Sequence, residues 1–468
     1  MEKKIKTEEW LDLSGPDVEI SRLNTLGFIW VLVTAICANV LFGGVNAGAL
    51  GLLSVMISVG VVFWIAESLF AKRLKYSSSL LQFPILALLL LGVIQLLPLG
   101  ASGVAPDILS VSASSALSID PYSTKLMILK IVLFLIFFSG ALIYLDSPKR
   151  LRITIFTLVI FAALMSFIGI LQKLSNPHLI LWVRQVDYAM PFASYVNQHH
   201  FAAFLVMTIS LTLGQLFAGA IRPDKRPLLI IAAVLMGLGV VFTGSRGALI
   251  SLISVLGFVT FLNLRYERGA RSSGTATALK SRALILIGAN AALLLFLFVS
   301  VVWIGKSDLV LRQTGLIGPE EFSNGRLEFY ANSLEMIKDN PIIGTGLGTY
   351  GVAYTPYDKW NGTLRVGHAH NDYLEIFSDG GIIGLLCVAV FLFLLFRNGL
   401  RAISKAEHPN RRGIAAGALA ACFGILIHSF FDFPLQTNAN MFFFLICAAL
   451  ATVSVEFPAV LRRKKVNP

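Results

Sequence analysis

The chain has 468 residues, 56% hydrophobic and only 14% charged, with a mean hydropathy of +0.77 and a net charge of +12. A soluble globular chain is nearer a quarter charged, so this composition excludes a soluble domain and indicates a bilayer protein. The four cysteines (Cys37, Cys387, Cys422, Cys447) lie in apolar stretches with no CxxC spacing, which indicates neither a zinc site nor a disulfide framework.

Residues 1–23 are polar and mixed in charge, and the apolar run after them is too long for the core of a cleaved signal peptide. That run is expected to stay in the membrane as the first span. Twelve apolar runs of spanning length are read, at about 24–44, 47–70, 80–99, 126–145, 152–172, 201–220, 228–243, 246–263, 284–304, 373–396, 413–431 and 437–457. With a cytoplasmic N-terminus, every inner connection is basic, from Lys72, Arg73 and Lys75 through Lys149, Arg150 and Arg152 to Arg411 and Arg412 and the Arg462–Lys465 tail. That is the positive-inside pattern, and it makes the basic excess a matter of topology rather than of nucleic acid. The expected fold class is therefore all-α: a polytopic membrane protein of about twelve transmembrane helices, both termini cytoplasmic, with a large extracytoplasmic loop containing short helices.

Three outer connections are long: 100–125, 173–200 and 305–372. The last is too short for a large core of its own and is expected to pack on the bundle. Within it, Asn324 to Asp339 reads as an amphipathic helix with Leu327, Tyr330, Leu334 and Ile337 on its apolar face, ended by Asn340-Pro341.

The topology gathers chemistry on one side. His199, His200, Arg246, Arg326, His368, His370 and Asp432 all fall at or near the outer face, from separate stretches of chain. Lys130 and His428 are the main ionisable residues inside spans, and ionisable groups at membrane depth usually mark function. Arg246, in Gly244-Ser-Arg-Gly247, opens an outward-facing helix N-terminus, which suits an anion, although a turn with an interfacial arginine would look the same. Arg326 would sit equally well on a solvated helix face. A histidine in His368-Ala-His370-Asn371 suits a general base, oriented by a carboxylate such as Asp372 or Glu375. A metal reading of the histidines lacks the usual ligand spacing and is set aside. Gly346-Leu-Gly348-Thr-Tyr-Gly351 matches G-x-G-x-x-G, but without a βαβ context it reads as a tight turn or close packing.

These residues resemble a known family. His370-Asn371 followed by Gly381-Ile-Ile-Gly384 is similar to the signature of bacterial O-antigen ligases and the related O-antigen and exopolysaccharide polymerases. So are Gly344-Thr-Gly-Leu-Gly-Thr-Tyr350, Asn197-Gln-His-His-Phe-Ala202, Gly244-Ser-Arg-Gly247 and His428-Ser-Phe-Phe-Asp432-Phe-Pro-Leu-Gln436. On this basis the chain divides into N-terminal spans and outer loops (1–200), a ligase-like core with the outer loop (201–440), and a last span with its basic tail (441–468). The resemblance implies a metal-independent, inverting membrane glycosyltransferase of the bacterial inner membrane, needing no cofactor and acting on the periplasmic face in lipopolysaccharide or exopolysaccharide assembly. Its donor would be a saccharide on undecaprenyl pyrophosphate. Its acceptor would be a glycan or lipid A-core sugar, with a chain-length regulator as a further partner. Arg246 and Arg326 match the arginines that would hold the pyrophosphate, and His370 matches the histidine that would activate the acceptor hydroxyl. His368, Asn371, His199, His200, Asn197 and Asp432 stand as supporting residues, with no metal ligands. A transporter or flippase is the alternative, which calls for inverted repeats and midplane polar groups that the sequence does not clearly show.

Overall fold

A computed structural model describes residues 22–72, 74–99, 115–186, 189–270, 276–304, 326–359 and 365–455. The N-terminal lysines, Asn324 and Gly325, and the basic tail lie outside these residues. Helices occupy all twelve positions expected of spans: α1 (Arg22–Val40), α2 (Ala47–Phe70), α3 (Gln82–Gln95), α4 (Pro121–Tyr144), α5 (Pro148–Ser175), α6 (Gln198–Phe217), α7 (Arg226–Phe242), α8 (Arg246–Ala270) and α9 (Ala276–Ile304), then, after two loop helices, α12 (Asp372–Lys405), α13 (Pro409–His428) and α14 (Asn438–Thr452). The loop helices are α10 (Arg326–Asp339) and α11 (Tyr350–Ala353). A two-residue antiparallel pair, Leu179–Ile180 with Arg184–Gln185, and an isolated bridge between Phe192 and Tyr195 are the departures from helix and loop among the described residues.

Nine helices among the described residues are long and apolar enough to cross a membrane, and the molecule is a polytopic membrane protein. Three expected spans are shorter: α3, α14 and the Ala283–Leu297 stretch of α9. With 14 and 15 residues, α3 and α14 reach about 21 to 22 Å at 1.5 Å per residue, less than the ~30 Å hydrocarbon core. Their apolar runs were read through flanking loop residues, where apolar composition continues but helix does not.

The centre of the bundle is α6 against α13. They approach through glycine: a Cβ on Gly214 would stand 2.5 Å from the Gly413 carbonyl oxygen and from the Gly417 Cα. In lipid, helix association rests on such close van der Waals contact, since lipid is as apolar as the helices themselves. The spanning windows of α6 and α13 are 94% and 89% buried, against 22% for α2, so the other helices wrap this pair.

α12 is not one rod. Gly381 sits at φ 59°, ψ −162°, a conformation open only to glycine, and divides the helix. A straight helix of 34 residues would be about 51 Å long and would carry Asp372 well past the end of α13. Instead the Asp372 amide bonds the Ser429 carbonyl at 3.0 Å. Residues 372–380 therefore fold back across the bundle end, and the segment from 382 to 405 is the length that suits a span. The glycine loop locks this break. Gly344, Gly346 and Gly348 all have positive φ, the Thr345 and Gly346 amides bond the Ser378 and Asp379 carbonyls at 3.0 Å each, and the Gly348 amide bonds Asp379 Oδ2 at 2.8 Å. Gln95, at the end of α3, donates to the Ile343 and Asp379 carbonyls at 2.6 and 2.9 Å and accepts from the Leu347 amide at 2.8 Å. The G-x-G-x-x-G match is thus turn and packing, as expected.

α10 forms where the periodicity places it, and of the expected stripe Ile337 is buried and Tyr330 half-buried, but the buried face is rotated away from the two leucines. Leu327 and Leu334 are 69% and 48% exposed, while Asn332, Ser333, Met336 and Ile337 are buried. Asn332 donates to the Tyr354 hydroxyl at 2.9 Å, and Ser333 Oγ shares a 2.8 Å bond with the Tyr350 hydroxyl. Apolar spacing alone mistook the face because this small core of Met336, Tyr350, Ala353, Tyr354 and Ala369 carries hydroxyls that need polar partners.

Candidate active site

Five segments converge at one end of the bundle: the N-termini of α6, α8, α10 and α12, and the loop after α13. Arg150, Glu67, Lys75 and Arg411 lie at the other end, where Arg150 pairs with Asp146 at 3.0 Å and Lys75 with Glu67 at 2.8 Å.

The loop after α13 supplies the centre. Asp432 is buried, and its Oδ1 lies 3.1 Å from His370 Nδ1 and 3.9 Å from His200 Nε2. Burial works to raise its pKa, but the His370 hydrogen bond and the positive potential of His200 and His199 outweigh it and hold the carboxyl well below the usual range. The orienting carboxylate of His370 is therefore Asp432, not Asp372 or Glu375. Asp372 is committed elsewhere: its Oδ2 accepts from Ser429 Oγ at 2.7 Å and from the Leu435 amide at 3.3 Å. Glu375 belongs to the other histidine. Its Oε1 lies 2.8 Å from His368 Nδ1, and its Oε2 accepts from the Ala369 amide at 3.1 Å. Burial opposes charge on His368, but the Glu375 carboxylate prevails and raises its pKa.

The rings of three histidines pack on Phe433. His368 stacks at 4.1 Å between centroids, while His200 and His370 meet it edge-on at 4.7 and 4.9 Å. His200 is fixed further by a 2.9 Å bond between Nδ1 and Thr437 Oγ1. His199, half-buried on the first turn of α6, lies in the combined field of Asp432, Arg326, His370 and Lys173. Asn197 and Asn371 are helix caps: Asn197 Oδ1 accepts from the His199 amide at 2.8 Å, and Asn371 Oδ1 from the Tyr373 and Leu374 amides at 3.0 and 3.1 Å. Both therefore act by setting where the histidines beside them stand.

Arg326 and the N-terminus of α8 flank Phe431. Arg326 Nη1 donates to the Phe431 carbonyl. Arg246 opens α8 behind a Ser245 cap, and its neighbour Gly247 backs onto Phe431 and His428, where a Cβ would stand 3.0 and 3.1 Å away. A permanent cation, Arg326, and the helix N-terminus that carries a second, Arg246, thus come to the same corner as the His370–Asp432 pair from different elements. Lys130 lies at helix depth in α4 and faces a cavity of about 200 Å³ with Asp372 and Asp379, within the electrostatic reach of Glu375.

Sequence reasoning passed over Tyr330 and Phe433. Tyr330 belongs to the expected apolar stripe, yet its hydroxyl bonds the His370 carbonyl at 3.1 Å and the Phe430 carbonyl at 3.0 Å. Its one available signal is its place a turn after Arg326. No signal in the sequence marks Phe433 as a ring platform.

Fold and site together define a polytopic membrane protein with a half-buried histidine on a buried carboxylate, and two arginines, at one bundle end. Residues 231–389 match the family model described as O-antigen ligase. The chain is 26% identical over 348 residues to the O-antigen ligase of Pseudomonas aeruginosa, covering 72% of this chain and 74% of that protein. It is 24% identical over 154 residues to the exopolysaccharide production protein ExoQ of Rhizobium meliloti, covering 32% of this chain and about a third (34%) of that protein.

Proposed function

We propose that this chain transfers a saccharide from undecaprenyl pyrophosphate to a sugar hydroxyl, as an O-antigen or exopolysaccharide polymerase or ligase at the outer face of a bacterial inner membrane. The observation that carries the reading is the 3.1 Å His370–Asp432 pair standing beside Arg326 and the N-terminus of α8. With Asp432 accepting from Nδ1, that nitrogen carries the proton and Nε2 is left as the basic one. Nε2 takes the proton of the acceptor hydroxyl as its oxygen attacks the anomeric carbon. The bond from that carbon to the pyrophosphate oxygen breaks, its electron pair leaves with the pyrophosphate, and the anomeric configuration inverts. Charge grows on the leaving pyrophosphate, where Arg246 and Arg326 provide fixed positive charge. His368, His199 and His200 support the pair through Phe433 and Asp432, and Asn197 and Asn371 cap the helices that present them.

The topology that goes with this reading has twelve spans, with α3, α9 and α14 as the short ones, and both termini in the cytoplasm. The family match and the resemblance to ExoQ support a lipid-linked saccharide as substrate. The test is reconstitution with an undecaprenyl-pyrophosphate-linked repeat, with and without lipid A-core. Lengthening of the donor alone indicates a polymerase, and product only on added core indicates a ligase. Transfer at the wild-type rate by His370→Ala or Arg246→Ala protein, or no product under either condition, overturns the reading.

A further inference from the structure

His370 has a left-handed backbone, φ 51°, which is costly for a residue with a side chain and persists only where neighbours hold it. Its ring is held by Asp432. Its carbonyl accepts from the Tyr330 hydroxyl at 3.1 Å. The same hydroxyl reaches the Phe430 carbonyl at 3.0 Å, two residues before Asp432. One proton shared between two carbonyls thus joins the two chain segments whose side chains form the His370–Asp432 pair. These segments are 62 residues apart in sequence. Burial raises the Tyr330 pKa, so the hydroxyl keeps its proton and remains a donor.

The rest of α10 seats on the same place. The Phe329 ring stacks toward His370 at 6.2 Å between centroids, and Arg326 donates to the Phe431 carbonyl. Arg326 and Tyr330 are four residues apart, so they share one face of the helix.

We propose that Tyr330 is a positioning residue, whose hydroxyl ties the His370 and Phe430 backbones together and so sets the His370–Asp432 geometry when α10 docks. The proposal rests on His370 being the base, as argued above.

The test uses the full chain reconstituted with an undecaprenyl-pyrophosphate-linked repeat. Tyr330→Phe keeps the ring and removes only the hydroxyl. Its turnover should fall about 10- to 100-fold, the scale of a misplaced catalytic group, with KM for the donor unchanged and the melting temperature held. In an Asp432→Asn background, where the pair is already lost, the same substitution should cost less than about threefold further, because coupled groups are non-additive. Wild-type turnover in Tyr330→Phe overturns the proposal. So does a loss confined to KM, or a loss fully additive with Asp432→Asn. His370→Ala separates the two levels. If it keeps wild-type turnover, the functional reading itself fails. If it is inactive while Tyr330→Phe is unimpaired, only the staple fails.

Discussion

His368 and His370 stand two residues apart, yet each has its own carboxylate, Glu375 for one and Asp432 for the other. The consequence for His368 is a pH dependence with a definite sign. Its pKa is raised on folding, so the pair stabilises the protein fully below the unfolded histidine value near 6.5. That contribution is lost as pH rises through the folded value. Glu375→Gln should therefore lower the melting temperature more at pH 5.5 than at pH 9, and an equal effect at both would refute the ion pair. Asp432 has the opposite sign. Its folded pKa is depressed, so its contribution is present above about 4 and is lost only as the pH falls through the lower folded value. Asp432→Asn should cut turnover roughly 100-fold or more while donor binding persists, on the scale of general-base catalysis. An Asn variant with unchanged turnover would remove Asp432 from the mechanism. At this scale the sequence was partly legible. The gathering of the histidines and arginines at one bundle end could be read from topology, whereas the pairing of His370 with Asp432 could not. Asp372 and Glu375 were nearer in sequence, and only the fold-back of residues 372–380 turns them to other partners.

That fold-back is a property of an element. Hydropathy shows a long apolar run after Asp372 and cannot show that Gly381 breaks it. The glycine conformation does. A Cβ at Gly381 would meet the Ile342 carbonyl, in a backbone region closed to other residues. Gly381→Ala should cost several kcal/mol, on the scale of a strained, overpacked position, and should remove folded protein from the membrane fraction. Normal yield and melting temperature for that variant would show that the break is not required. The α6–α13 contact makes a parallel case. Gly417→Val would drive methyl groups into the Ser210 carbonyl and the Leu211 Cα, already 2.8 and 3.1 Å from a Cβ placed there. It should separate the central pair, seen as a lowered melting temperature. The small loop helix was legible as an element but not in its orientation, since its buried face is chosen by tyrosine hydroxyls rather than by apolar side chains.

For the whole molecule, the alternation of basic connections predicts the direction of each helix, because charge placement survives even where a span is short. α3 and α14 were legible as positions and not as lengths. Sidedness can be measured directly. Lys359 and Lys405 are exposed and lie toward opposite ends of the bundle. In intact cells with the outer membrane made permeable, a membrane-impermeant thiol reagent should label Lys359→Cys. It should label Lys405→Cys only after the inner membrane is opened. Labelling of both, or of Lys405→Cys alone, would invert or refute the topology.

The enclosure of α6 and α13 also bears on how the chain is made. α6 carries Thr208, Ser210 and Thr212, all buried in the finished bundle. Its main partner is synthesised some 190 residues later, counting from the end of α6 to the start of α13. During that interval α6 must wait in lipid, or beside the insertion machinery, with only α5, α7 and α8 for company. Nascent chains that stop before α13 would therefore leave the Gly214 face of α6 without its close-packed partner at the centre of an unfinished shell, a natural mark for quality-control proteolysis.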